Sequence, residues 1–231
     1  MGELGDVWSW LTTSANWTGS TGIWSRGRAH LTISLVATVL AAAVAMPPAV
    51  WLAHHRRLPV LSVAVANVGR ALPSFAVIAL VLPVSISLGL GLGFWPTCVA
   101  LVALAVPPIF TSTYAGVAGT PAEITEAARG VGMTGPQVLR RVELPAALPL
   151  VMNGLRISAT QVVATATLGA LVGFQCLGSF VLEGLARPFS AQDRLLGGAL
   201  LIIVMALALD AALGWLARRC SPWTRPARRL R

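Results

Sequence analysis

Residues 31 to 53 read LTISLVATVLAAAVAMPPAVWLA, a run of 23 positions without one charged side chain. As a helix rising about 1.5 Å per residue, such a run is about 34 Å long, enough to cross a hydrocarbon layer of about 30 Å. Similar apolar stretches recur at about 59 to 83, 95 to 118, 148 to 173 and 195 to 217, which makes five predicted spans. Hydrocarbon offers nothing for an unpaired peptide group to bond, so runs of this length must be helical. The expected class is therefore an all-α integral membrane protein with about five transmembrane helices. A composition of 56% hydrophobic and 11% charged residues lies far from a soluble average and agrees.

Charge placement tests the span count separately, because cytoplasmic loops carry an excess of basic residues. All 17 basic residues are arginine. With the N-terminus outside, the inner segments hold Arg56, Arg57, Arg129, Arg140 and Arg141, then six more between Arg218 and Arg231. The outer segments hold Arg26, Arg28, Arg187 and Arg194, while Arg70 and Arg156 fall inside spans. This asymmetry puts residues 120–145 and the basic tail 218–231 in the cytoplasm, and it accounts for the net charge of +9 through topology and anionic lipid rather than nucleic acid. Trp51, Trp95 and Trp215 fall near predicted span ends, where amphipathic rings prefer the interface. Residues 1–30, with Trp8, Trp10, Trp17 and Trp24, are too polar to span and lack the pattern of a signal peptide. They are expected to lie on the outer surface as an interfacial segment.

The loop between the third and fourth spans is unlike the rest of the chain. In TPAEITEAARGVGMTGPQVLRRVELP, residues 120–145, Thr120 and Glu123 around Pro121 form a capping-box pattern that starts a helix, and Gly130 and Gly132 end it. Thr134 and Gln137 repeat the pattern and open a second short helix, which Leu144-Pro145 is expected to close. Helices this short need something to pack on. Two short helices around a glycine turn, followed by Arg140 and Arg141, fit a membrane-anchored helix-turn-helix that reads DNA. They equally fit a cytoplasmic loop that docks on a soluble partner, and the flanking spans favour this second reading.

Cys98, Cys176 and Cys220 lack metal or redox spacing and only three histidines accompany them, so no metal site is expected. A chain without lysine has no phosphate-binding G-x-x-x-x-G-K-[ST] loop, so any ATP-driven work needs an engine on another chain.

The stretch EAARGVGMTGPQVLRRVELP resembles the EAA loop of permease subunits of bacterial ABC importers, whose pattern is E-A-A, three residues, G, nine residues, I-x-L-P. The matching positions are Glu126, Ala127, Ala128, Gly132, Val142, Leu144 and Pro145, with Val142 in place of isoleucine. RALPSFAVIAL, PPIFTSTYAGV and LPAALPLVMNGLRISATQVVATATLGALVG resemble the subfamily that imports osmoprotectants such as glycine betaine, carnitine, choline or proline betaine; together the resemblance covers about residues 30 to 217. Members of that subfamily often carry Gln-Thr-Ile-Pro-Ser, where this chain has Gly69 to Ser74 with Arg70, Ala71 and Leu72 before Pro73. Methionine-import permeases share the layout and are the nearest rival.

The resemblance implies a type I ABC importer permease fold in the bacterial inner membrane, with the EAA loop inserted as a coupling helix into an ATPase. It implies two ATPase copies that hold ATP and magnesium, a second permease subunit, identical or paralogous, and an extracytoplasmic binding protein. This chain itself would bind no cofactor and catalyse no covalent chemistry.

Candidate path residues follow from polarity within spans. Arg70 is a costly intramembrane charge, with Asn67, Pro73 and Ser74 beside it at helical spacing. The fourth span carries Asn153, Arg156, Thr160 and Thr167. Arg156 is expected to pair with loop carboxylates or lipid phosphates, and Asp210 either pairs with an arginine or lies in a wet cleft. Pro47-Pro48 and Pro107-Pro108 are expected to kink the first and third spans. Quaternary ammonium ions favour aromatic cages, and the spans hold Tyr114 but no aromatic cluster, so selectivity is expected to reside in the separate binding protein.

Overall fold

The computed structural model describes residues 2–57, 59–71, 73–187 and 190–220, and every regular element among them is helical. The helices are α1 (Gly2–Thr12), α2 (Ile23–His54), α3 (Pro59–Ala71), α4 (Ser74–Ser87), α5 (Phe94–Ala118), α6 (Ala122–Gly130), α7 (Gly135–Val138), α8 (Leu144–Ala166), α9 (Gly178–Ala186) and α10 (Gln192–Cys220). Tight 3₁₀ turns cover Ser14–Asn16 and Thr167–Val172, and a π turn covers Leu139–Glu143.

Among the described residues four helical stretches are long and apolar enough to cross a membrane: Ile23–His54, Phe94–Ala118, Gly135–Val172 and Gln192–Cys220. The predicted span 59–83 is instead divided into α3 and α4, of 13 and 14 residues, each short of the roughly 20 a crossing needs. Pro73 caps α4 in an extended conformation, and a proline ring disfavours helical geometry in the residue before it. Asn67 and Arg70 thus lie on α3 while Ser74 opens α4, so the three do not stand on one continuous helix. Pro47-Pro48 and Pro107-Pro108 lie within α2 and α5, each of which remains a single helix.

The residues divide into two compact units, and each long helix contributes a segment to both. The first unit comprises residues 1–41, 71–105 and 159–209. One of its apolar clusters gathers Trp10, Ile23, Val163, Leu177, Phe180 and Ile202. A second cluster joins Ile78, Ala100 and Val172. Trp10 meets Phe180 edge to face at 5.1 Å, so the N-terminal segment is docked onto its unit through a buried ring. Only glycine fits beneath that ring: a Cβ on Gly197 would stand 2.6 Å from the Trp10 indole. Helix α2 starts at Ile23, eight positions before the predicted span, and this brings Arg26 into the helix and into the protein. Arg26 is only 5% exposed, and its charge is met by Glu183 at 2.6 Å and by the Phe180 ring 4.2 Å away. Arg194 reaches the other oxygen of Glu183 at 3.1 Å.

The second unit comprises residues 42–70, 106–158 and 210–231, as far as they are described. Here α5 and α8 approach at backbone distance. A Cβ on Gly116 would lie 3.0 Å from the carbonyl oxygen of Ala147, and one on Gly154 would lie 2.4 Å from the Cβ of Ser112. In α3, Gly69 gives Pro107 similar room, its imagined Cβ falling 2.3 Å from the proline Cβ. Small residues drive such crossings because apolar lipid offers helices no hydrophobic incentive to associate, leaving close packing to do so.

Replacing Gly154 with alanine should therefore force α5 and α8 apart and cost roughly 1–3 kcal/mol, the range for overpacking. Thermal unfolding in detergent is expected to show a lower midpoint for Gly154→Ala and little change for Gly130→Ala, whose surroundings are open.

Candidate functional site

The loop 120–145 lies wholly in the second unit, and its local structure departs from its capping patterns in two places. Helix α6 starts one residue later than expected, with Pro121 rather than Thr120 as its cap. The carbonyl of Thr120 accepts a bond from Arg56 Nη2 at 3.1 Å, while the amides of Ile124 and Thr125 donate to the carbonyl of Pro121. The Thr120 hydroxyl is buried with no partner among the described residues, so it caps nothing. Glu123 still sits in the first turn, where a negative charge suits the helix dipole.

The end of α6 follows the glycine signal. Gly132 takes φ +88°, the Gly132 amide donates to the Arg129 carbonyl, and the Met133 amide donates to that of Ala128. This pair of bonds is a Schellman closure and needs the left-handed residue at Gly132. The second pattern holds as a capping box at the start of α7, in which the Thr134 amide donates to Gln137 Oε1 at 2.8 Å.

Pro145 does not end the second helix, contrary to expectation. The helix passes through the π turn Leu139–Glu143 and continues as α8, making one stretch from Gly135 to Val172. The Leu144 amide donates to the Leu139 carbonyl, five residues back. That wider turn carries the preceding carbonyls away from the proline ring, whose clash with residue i−4 is what breaks an α-helix.

The π turn also aims Glu143 inward, where it is 4% exposed and accepts a bond from His54 Nδ1 at 2.6 Å. Arg56, at φ +50°, turns the chain after α2, and Tyr114 donates to the Arg57 carbonyl at 3.1 Å. The end of α2 is thereby tied to the loop and to α5. His54, Arg56, Glu126, Arg129 and Glu143 border one cleft of about 500 Å³.

Among the exposed charged and polar residues of the loop stands a short apolar stripe. Ile124 is 52% and Val131 79% exposed, and Ala127 lies exposed between them at helical spacing. Ala128 is buried, and Val142, Leu144 and Pro145 are half-buried. Sequence reasoning picked out Glu126 to Ala128 and missed Ile124, Val131 and the anchor Glu143. The spacing of Ile124, Ala127 and Val131 was the available signal for the first two.

The candidate path residues separate. The Arg70 side chain lies outside the described residues. Asn67, Pro73 and Asn153 are exposed and Ser74 is half-buried. Arg156 pairs through Nε and Nη2 with both oxygens of Asp210, a carboxylate of another long helix, α10. Gly214 leaves room for that guanidinium, its imagined Cβ standing 3.4 Å from Arg156 Cζ. Thr160 lies on α8 but belongs to the first unit, and Thr167 falls past α8 in the 3₁₀ turn with its hydroxyl on the Ala164 carbonyl at 2.7 Å.

The first unit holds a feature absent from the sequence expectations. Trp17, Trp24, Phe94 and Phe174 border one cleft of about 670 Å³ together with Arg28. These rings come from four separate places in the chain.

Residues 34–225 match the family described as binding-protein-dependent transport system inner membrane component. The chain is 37% identical to the carnitine transport permease protein OpuCB of Listeria monocytogenes, over 84% of this chain and 85% of that one. It is 34% identical to the choline transport system permease protein OpuBB of Bacillus subtilis, over 84% and 86% of the two chains. The osmoprotectant import permease protein OsmY of Salmonella typhimurium is 36% identical, over 86% and 82%. Among solved structures, an inward-facing MetNI methionine ABC transporter matches with a TM-score of 0.73 and 22% identity, covering 86% of this chain and 96% of that one, a likeness of fold. With four helices long enough to cross a bilayer and a family match over most of its length, the chain belongs to the inner membrane components of binding-protein-dependent transport systems.

Proposed function

We propose that this chain is the permease subunit of an ATP-driven importer for an osmoprotectant of the glycine betaine, carnitine or choline kind. The carnitine, choline and osmoprotectant transport named for relatives at 34–37% identity over 84% or more of the chain supports the substrate class. The reading takes the N-terminus as external and counts 59–83 as a crossing despite its break. A second permease subunit completes the path, two ATPase subunits supply the work and bind ATP and magnesium, and an external binding protein delivers the solute.

The observation that carries the coupling role is the exposed apolar face of α6. Ile124 and Ala127 on α6, and Val131 just past its end, stand in water, while the other face of the helix is held by Thr125 and Ala128, which are buried. A greasy stripe on a short cytoplasmic helix is costly unless a partner covers it. Glu126 flanks that stripe and borders the charged cleft, where it can meet a basic group of the ATPase. Motion of a docked partner reaches the spans by two routes: through the unbroken helix that starts at Gly135, and through the His54–Glu143 bond to the end of α2.

ATPase co-purification is the direct test. The ATPase should accompany the wild type and fall at least about tenfold with Gly132→Arg, which places a bulky side chain at a left-handed position beside the stripe, whereas Gly132→Asn should retain it. A retained ATPase with Gly132→Arg would defeat the coupling role. In reconstituted vesicles, ATP hydrolysis should rise with binding protein loaded with glycine betaine, carnitine or choline; stimulation by methionine alone would defeat the substrate class.

His54→Leu should leave the buried Glu143 carboxylate without its partner and cost roughly 1–3 kcal/mol. Thermal unfolding is expected to show that loss, with part of it recovered when Glu143→Leu is added, since a well-packed apolar pair can replace a buried polar one.

A further inference from the structure

We propose that the aromatic cleft of the first unit is a binding site for zwitterionic quaternary ammonium solutes on the permease itself. The proposal rests on the functional reading above, including an external N-terminus, which places the cleft where solute arrives.

The walls are fixed by the fold. Trp17 is held by its indole N–H, which donates to the Leu11 carbonyl at 2.6 Å, and the Trp24 amide donates to the Trp17 carbonyl at 3.3 Å. The two indoles stand 5.5 Å apart with planes at 59°, so they form two sides of an open angle. The opposite side is built by a pair of matched turns. Gly93 and Gly173 both take φ +84°, each is followed by a phenylalanine, and the Gly93 amide donates to the Val172 carbonyl at 2.9 Å. The Cβ that any other residue would add at 93 would lie 3.5 Å from the Gly173 carbonyl oxygen, so the two turns are set against each other. That arrangement holds Phe94 and Phe174 6.1 Å apart at 65°.

A trimethylammonium group cannot donate strong hydrogen bonds, and aromatic faces are the protein surface that attracts it without them. The floor of the cleft is the face of α2 formed by Ser25, Arg28, Ala29 and Thr32, spaced at three and four residues. Arg28 is exposed there, and no hydrogen bond or ion pair engages it among the described residues. In contrast, Arg26, two positions away, is committed to Glu183. A bare cation would be repelled by Arg28, while a ligand carrying a carboxylate next to its ammonium satisfies both parts of the cleft. The chemistry therefore selects betaine-like and carnitine-like zwitterions over choline. A phosphocholine headgroup shares that chemistry, and the solute is distinguished from it by test.

The experiment is titration of the full-length chain in nanodiscs of phosphatidylglycerol, followed by tryptophan fluorescence and calorimetry. Glycine betaine and carnitine should bind saturably. Trp24→Ala should weaken both about tenfold, and Trp24→Phe should retain most of the affinity. Arg28→Gln should weaken the two zwitterions and leave choline unchanged or tighter. The site is overturned if 3,3-dimethylbutyrate, the uncharged-head isostere of glycine betaine, binds as well as the ammonium compound, or if Trp24→Ala changes nothing. A response confined to phosphatidylcholine bilayers, with none to free betaine, overturns the solute in favour of a lipid headgroup. In the assembled importer, betaine uptake untouched by Trp24→Ala and Arg28→Gln overturns the site and leaves the importer reading standing; saturable binding by a chain whose assembled importer never moves such solutes supports the site and defeats that reading.

Discussion

Hydrocarbon accepts no hydrogen bonds and solvates no charges, so each polar group that enters it must bring its partner along the chain. The peptide groups do so by remaining helical. The charged side chains do so across elements: Arg156 with Asp210 in one unit, Arg26 with Glu183 in the other. His30 follows the same rule, donating from Nε2 to the Val163 carbonyl at 2.9 Å. These partners are fixed by the environment more than they stabilise it, because desolvating two charges offsets most of their attraction. Their value lies in specifying which helix faces which.

Shape supplies what polarity does not. Glycines at 69, 116, 154, 197 and 198 stand where a neighbouring helix or ring comes closer than a Cβ allows. On α2, Ile33, Ala37, Ala41, Ala45 and Ala49 repeat every four residues and are almost completely buried, a smooth seam along the helix. Such surfaces pack by dispersion at short range, and a single added carbon is felt because interiors have no slack to absorb it.

The apolar runs made the long helices legible, and Gly132 and Thr134 marked the turn between the two short helices of 120–145. What escaped was decided by residues far apart or by backbone register. Thr120 looked like a cap, yet its carbonyl is taken by Arg56, 64 positions earlier. The start of α2 at Ile23 is stabilised through Arg26 by a carboxylate 157 positions later. Pro145 obeyed the usual rule for a helix stop until the π turn removed its clash. Pro73 was the opposite case: it caps α4 instead of continuing a span, and the apolar composition of 59–83 concealed the break. The aromatic cleft was invisible because Trp17, Trp24, Phe94 and Phe174 converge only through folding, and each alone reads as an ordinary ring near a span end.

The π turn gives the spacing of the loop motif a meaning. A π turn is an α-helix carrying one surplus residue, and one residue is about 100° of rotation. Within the helix that starts at Gly135 the chain therefore counts an insertion at Leu139–Glu143, and the segments on either side of it are out of phase by that angle. The turn acts as a phase setting for the helix: Glu143 points inward while α8 keeps its own face toward α5. Counting residues in this motif is thus counting turns, and its length is constrained independently of the side chains it carries.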